Sequence, residues 1–190
     1  PVYITDYEMQ KIWDEVGIDG FYGRVFYFYR ETGCRLREPF ISTRNGNWME
    51  IPNESKGKDA RTIILEDYLG NSLTQIFDEL LAWYNSCELV TKSKGGQLSK
   101  KFKKVLRKAG LPERKHFHSL RHTYAVREVF IGTNPAILQK DMGHSTFTTT
   151  ERYLNFKTGE LERDFPTITR NIKPITRAVS YTHLTLPTIY

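Results

Sequence analysis

Two short strings in the sequence place groups that bind phosphate and move protons. In His118-Ser119-Leu120-Arg121 an imidazole and a guanidinium stand three residues apart, hence on one face of a helix or of the turn leading into it. A guanidinium is a planar fork that matches phosphate oxygens, and an imidazole donates to phosphate or exchanges a proton near neutral pH. Gly143-His144 lies downstream, and Tyr153 follows His144 by nine residues. Upstream, Thr32-Gly33-Cys34-Arg35 is followed by Glu38. A lone H-x-x-R is common by chance, and one tyrosine among eleven is ordinarily a core aromatic. The ordered series is what points to chemistry on a phosphate. His118 and His122 also have the i, i+4 spacing of a two-histidine metal site, but no Glu follows His118 as in H-E-x-x-H and no third ligand is evident.

The series resembles the tyrosine recombinase family, whose catalytic domain carries an Arg after a T-G-x, a Lys in a β-turn, an H-x-x-R, a G-H and a nucleophilic Tyr shortly afterwards. The resemblance extends from Tyr3 to about Phe156. It is most specific between His118 and Tyr153, which include Leu120-Arg121-His122-Thr123 and Gly143-His144-Ser145. It implies a catalytic set of Arg35, Lys56, His118, Arg121, His144 and Tyr153, with Glu38 orienting its neighbours. Lys58 stands in the same turn as Lys56 and is the alternative; the spacing to Arg61 and the run Thr62 to Leu65 favours Lys56.

The activity so implied is site-specific DNA cleavage and rejoining. Tyr153 would displace a 5′-hydroxyl and form a 3′-phosphotyrosine, which conserves the bond energy so that rejoining needs no cofactor, ATP or metal. The attack adds negative charge to nonbridging oxygens, which Arg35 and Arg121 would clamp. Lys56 would protonate the leaving oxygen, His118 would assist proton transfer or position the phosphate, and His144 would donate to a nonbridging oxygen. The implied partners are double-stranded DNA and further copies of the chain, in a tetrameric synapse. Two alternatives are a type IB topoisomerase or telomere resolvase, and a noncatalytic DNA-binding module. Compactness speaks against the first and the complete set of six residues against the second.

The elements that must hold these residues are legible from pattern. Thr5 and Glu8 form a capping box flanked by Ile4 and Met9, opening a helix whose apolar face is Met9, Ile12, Trp13 and Val16 and which Gly17 stops. An aromatic-rich helix follows from Tyr22 to Glu31 and closes at Gly33, and Pro39 should cut short any helix after Arg35. Phe40 to Thr43 and Trp48 to Ile51 flank Asn45-Gly46, a type I′ hairpin signal, with Arg61 to Leu65 as a third strand. Helical spacing then runs through Leu73, Phe77, Leu80 and Tyr84, and through Leu98, Phe102, Val105 and Leu106 up to Gly110. A helix is expected from about Ser119 to Ile131, and another from Pro135, capped by Asn134 and ended by Gly143. Thr148 to Glu151 reads as a second capping box, placing Tyr153 in the first turns of a short helix. The fold class is α+β, mostly helical with a small three-stranded antiparallel sheet towards the N-terminal half.

The formal charge of +6 is concentrated: Thr91 to Lys115 holds ten basic residues and one acid, Glu113. Lys92, Lys94, Lys100, Lys101, Lys103, Lys104 and Arg107 are therefore candidate DNA contacts, the alternative being a solvated lysine-rich helix. Two cysteines, Cys34 and Cys87, are too few for a disulfide framework and fit a reducing, cytoplasmic setting, bacterial or phage-encoded by resemblance. No run is apolar enough to span a bilayer. A start at Pro1 suggests a piece of a longer chain, lacking an N-terminal core-binding domain. Val179 to Tyr190 resembles a translated sequencing adapter and is expected to be read-through, leaving 1–178 as the catalytic domain.

Overall fold

The computed structural model describes residues 1–53, 60–86 and 91–171. Lys56, Lys58, Cys87 and the segment 179–190 lie outside the described residues. Helix α1, Asp6–Val16, starts at the expected capping box: Glu8 N–H donates to Thr5 Oγ1 at 3.2 Å and Thr5 N–H to Glu8 Oε2 at 2.9 Å. Ile4 and Met9 are fully buried beside it, and Gly17 closes the helix at φ 74°. Helix α2, Phe21–Thr32, ends on Gly33 in the left-handed region, where its N–H donates to the Tyr29 carbonyl.

Pro39 departs from expectation. It is the second residue of a one-turn helix α3, Glu38–Ile41, where a missing N–H has no helical acceptor to lose, so it opens this turn and does not end one. Phe40 and Ile41 are consequently helical, and β1 is only Thr43–Asn45. It pairs antiparallel with β2, Trp48–Ile51, which pairs with β3, Arg61–Ile64, in the order β1-β2-β3. Asn45 opposes Trp48, so the two central turn residues are Gly46 and Asn47. Gly46 has φ 58° and Asn47, like every described non-glycine residue, does not have positive φ, the pattern of a II′ and not a I′ turn.

Helices α4, Thr74–Ser86, and α5, Thr91–Lys108, bury the expected apolar positions Phe77, Leu80, Leu98, Phe102, Val105 and Leu106. Helix α6, His118–Phe130, is followed by α7, Pro135–Met142, where Asn134 caps Ala136 N–H at 2.9 Å and Gly143 ends the helix at φ 58°. The second capping box does not form. Helix α8, Phe147–Glu151, begins after Thr146, and Tyr153 sits beyond its end in a turn, its N–H donating to the Thr150 carbonyl at 3.0 Å. Helices α9, Thr158–Asp164, and α10, Pro166–Asn171, complete the described chain.

Helix α6 joins two apolar clusters. Leu120 belongs to the larger one, with Phe26, Tyr29, Phe77, Phe102 and Phe117, while Ala125, Val126 and Phe130 belong to the smaller, with Leu138, Met142, Tyr153 and Phe165. Between α2 and α6 a buried ionic group ties Arg127 to Glu31 at 2.6 Å, Arg30 to Glu31 at 3.3 Å, and Arg30 to Asp6. These pairs fix the mutual rotation of the two helices, and therefore the direction in which the N-terminal end of α6 faces. Among the described residues no helix is long and apolar enough to cross a membrane.

A Cβ on Gly33 would meet the Tyr124 ring on α6 at 2.3 and 2.5 Å, and φ is 60° there. Gly110, at φ 65°, faces open space. Gly33→Ala is expected to cost more than the ~1–2 kcal/mol of left-handed strain alone, and Gly110→Ala only that strain. Urea unfolding midpoints at unchanged m-values check the order; equal losses at both positions would contradict the packing.

Candidate active site

Arg121 occupies the second turn of α6 and is 2% exposed. Its guanidinium donates to the Gly33 carbonyl at 2.7 Å and to the Met142 carbonyl. Both acceptors exist because a helix has just ended there: left-handed Gly33 turns the chain away after α2, and left-handed Gly143 does so after α7. Among the described residues Arg121 has no carboxylate partner. Burial, then the charge of Arg35, lowers its pKa to about 10, which leaves it protonated at neutral pH.

Arg35 reaches the next carbonyl along, Gly143, at 2.8 Å. The two arginines expected to clamp a phosphate are thus held on consecutive carbonyls of one turn. Glu38 stands behind Arg35, accepting from its Nη1 at 2.7 Å and its backbone N–H at 2.6 Å. The same carboxylate accepts from Arg61 Nη2 at 2.7 Å, and Arg61 Nε donates to the Asp141 carbonyl at 2.9 Å. Burial opposes ionisation of Glu38, but the charge of Arg61 and the bonds from Arg61 and Arg35 outweigh it and hold the carboxyl below its ordinary range.

Arg61 is the site residue that motif reasoning passed over, having appeared only as the start of a strand. Its signal was Gly143: a Cβ there would lie 2.8 Å from Arg61 Nη1, so glycine is needed for close approach as well as for φ. Three guanidiniums gather at one carboxylate that is hydrogen-bonded to Arg35 and Arg61 but not to Arg121, leaving Arg35, Arg61, Arg121 and Glu38 with a net charge of +2.

Tyr153 is 3% exposed. Its ring stacks on His144, with centroids 6.3 Å apart and planes 8° apart, and His144 Nδ1 is 2.9 Å from Thr150 Oγ1. The phenol is 2.7 Å from Nδ1 of His122. His122 is the second residue that sequence reasoning misplaced, weighing it only as a metal ligand. Its ring meets that of His118 edge to face at 4.7 Å, and among the described residues no three His, Cys, Asp or Glu side chains group to hold a metal ion. His118 lines a cavity of about 260 Å³ with Arg121, Tyr29, Cys34 and Ser99. The structure therefore brings together Arg35, Glu38, His118, Arg121, His144 and Tyr153; Lys56 is outside the described residues.

Burial lowers the pKa of all three histidines, to about 4 for His118 and His144 and about 3 for His122. The next cause is Arg121 for His118 and His144, and His118 for His122. His118 keeps an exposed edge, so solvent screens its share more than that of the half-buried pair. Burial raises the Tyr153 phenol, against the lowering pull of Arg121 and Arg152.

The basic segment is not one uniform face. Lys100 and Lys104 are exposed, without a protein partner among the described residues. Lys103 is tied to Glu113 at 2.8 Å and to the Lys115 carbonyl at 3.1 Å, and Arg107 to Glu113 at 2.9 Å. Lys101 lies over the Tyr22 ring at 4.7 Å, and Lys94 donates to the Tyr84 carbonyl at 2.9 Å. The side chain of Lys92 lies outside the described residues.

The model of the phage integrase family matches residues 30–160. No curated protein sequence matches the chain. Among solved structures it is similar to XerA recombinase, at a TM-score of 0.63 and 18% identity over 90% of this chain and 65% of that one. It is similar to the Tn1549 transposon integrase in complex with circular intermediate DNA, at 0.64 and 18% over 89% and 66%. A lambda integrase dimer bound to a COC′ core site aligns at 0.60 and 16% over 81% and 48%. These identities speak to the fold. The chain spans 65% and 48% of the length of the XerA and lambda integrase chains.

Because His122 and His144 titrate below the ordinary 6.5, the unfolded state takes up protons first as the pH falls. Their contribution is complete above about pH 6.5 and is lost as the pH falls to about 4 for His144 and about 3 for His122, with Glu38 adding its own loss below about pH 4.5. Denaturant unfolding should show stability dropping over that window and a shallower drop for His144→Gln. A flat profile would contradict the burial of neutral imidazoles.

Proposed function

The chain belongs to the phage integrase family, and on that premise we propose that it is the catalytic domain of a site-specific recombinase that cuts and rejoins double-stranded DNA. The observation that carries this reading is the pair of guanidiniums on consecutive carbonyls, Arg121 on Met142 and Arg35 on Gly143, with Arg121 buried and lacking a carboxylate. A desolvated cation without a countercharge is costly, and an incoming phosphodiester supplies that countercharge. Both forks then stabilise the extra charge that develops on the nonbridging oxygens during attack.

Tyr153 is the nucleophile in this reading. Its oxygen bonds to phosphorus, the 5′-oxygen leaves, and the 3′-phosphotyrosine keeps the bond energy for rejoining. His144 sets the plane of the phenol through ring stacking and donates to a nonbridging oxygen. His118, at the mouth of the cavity it shares with Arg121, positions the phosphate. Glu38 orients Arg35, and Lys56 protonates the leaving oxygen. Further copies of the chain would assemble on DNA as a tetrameric synapse, in the cytoplasm of a bacterium or phage-infected cell, with 1–178 as the catalytic domain and 179–190 as read-through.

On a nicked suicide duplex the chain is expected to become covalently linked to a 3′-phosphate through Tyr153, with EDTA present, because the guanidinium pair supplies the charge a cation would otherwise bring. Tyr153→Phe should bind DNA and form no adduct, and Arg121→Ala should lose about 10²-fold or more in rate. An adduct mapped to Tyr124, or cleavage that requires added Mg²⁺, would overturn the assignment.

Affinity for DNA should fall with salt as counterions are released. Replacing Lys100 and Lys104 together by Ala should lower the salt slope by about 2. Lys103→Ala should instead lower stability, through its bonds to Glu113 and Lys115. An unchanged slope in the double variant would leave α5 a solvated helix.

A further inference from the structure

We propose that His122 is the residue that takes the phenolic proton from Tyr153 during attack; this rests on the recombinase reading above. Three groups in the site are candidates for that proton, and their geometry separates them. His144 lies parallel to the Tyr153 ring, with Nδ1 engaged by Thr150 at 2.9 Å, so it holds the ring and not the oxygen. His118, the candidate from the H-x-x-R motif, makes no hydrogen bond to Tyr153 and presents its ring to His122 instead. His122 Nδ1 is 2.7 Å from the phenolic oxygen, the distance required of a general base. It stands on the rigid helix α6 next to Arg121, so base and phosphate clamp move as one body.

For this bond the phenol donates and Nδ1 accepts, which requires an imidazole that is neutral with its hydrogen on Nε2. The groups facing His122 favour that state: His118 and Arg121 on α6, His116 before it, and Tyr153 after α8, whose own neighbour is Arg152. With burial they hold His122 at about 3. Among the described residues no carboxylate faces His122, so these surroundings keep the proton on the phenol. A phosphodiester between Arg35 and Arg121 brings the missing negative charge and makes His122 a stronger base, so that nucleophile activation waits for substrate. The step balances: the phenolic proton passes to Nδ1, the Oη–P bond forms, the P–O5′ bond breaks, and the 5′-oxygen takes a proton from water or from the leaving-group acid of the recombinase reading. In rejoining, the imidazolium returns its proton to Oη.

The test is single-turnover adduct formation on the nicked suicide duplex across a pH series, with DNA affinity and thermal unfolding measured for every variant. His122→Gln keeps an acceptor for the phenol but cannot take its proton. It should bind DNA as the parent chain does and form the Tyr153 adduct about 10²-fold more slowly, with a rate that climbs with pH as phenolate appears, where the parent profile is flatter. Imidazole added to His122→Ala should raise its rate. A parent-like rate and profile for His122→Gln overturn the proposal, as does slowing with an unchanged pH profile and no imidazole response. A change of profile in His118→Gln with none in His122→Gln assigns the proton to His118 and overturns it too. Failure of the parent chain itself to form an adduct overturns the recombinase reading instead, which separates the two.

Discussion

The structure depends on one buried cation. Arg121 is taken out of water in the middle of the molecule, and among the described residues the acceptors that make this tolerable are the carbonyls of Gly33 and Met142. Those carbonyls belong to the ends of two different helices, α2 and α7, so satisfying Arg121 joins segments that are far apart in the chain. A hydrogen bond to a charged donor contributes more than a neutral one, and leaving such a donor unmet inside the protein costs more still. The requirement therefore works as a constraint: α2 and α7 must end where they do, with glycines that let the chain turn away and leave a carbonyl facing α6.

Glu38 extends that constraint to the sheet. By accepting from both Arg35 and Arg61 it links the turn after α2 to the start of β3, while Arg61 reaches on to the Asp141 carbonyl of α7. Five elements, α2, α3, β3, α6 and α7, meet at one centre whose net charge is still positive. Arg121 has no carboxylate among the described residues, which leaves its charge balanced by carbonyl dipoles and not by a counter-ion of the protein.

Tyr153 shows how packing and chemistry share one residue. Its ring is part of the smaller apolar cluster, against Leu138, Met142 and Phe165, and that burial raises its pKa. The hydroxyl emerges on the other side of the ring, at His122, one residue from Arg121. The ring is held by dispersion and stacking, the oxygen by a hydrogen bond, and the two can be perturbed separately. The histidines beside it are kept neutral by burial and by their cationic neighbours, a state that suits acceptors and donors of single protons at neutral pH.

The local elements and most of the candidate set were legible in the sequence, because caps, glycine stops and helical periodicity act within a few residues. The Thr5–Glu8 box, the Gly33 and Gly143 terminations and the Asn134-Pro135 start all formed as their side chains dictate. What misled was also local: Thr148 and Glu151 have capping-box spacing, yet the chain leaves the His144 turn in an extended conformation at Thr146 and the helix begins there, and Pro39 opened a turn instead of ending one. The motif placed Arg35, Glu38, His118, Arg121, His144 and Tyr153 in one site, but could say nothing of which group touches which. Only the tertiary structure decided that Arg61 joins Glu38, that Lys103 is occupied by Glu113 while Lys100 and Lys104 face solvent, and that the phenol of Tyr153 meets His122 and not His118. Such contacts depend on the angle at which α6 crosses α2 and on where the turn after α8 brings Tyr153, and those are set by the packing of two apolar clusters and the buried Arg30–Glu31–Arg127 group over the whole chain, a sum that no window of sequence contains.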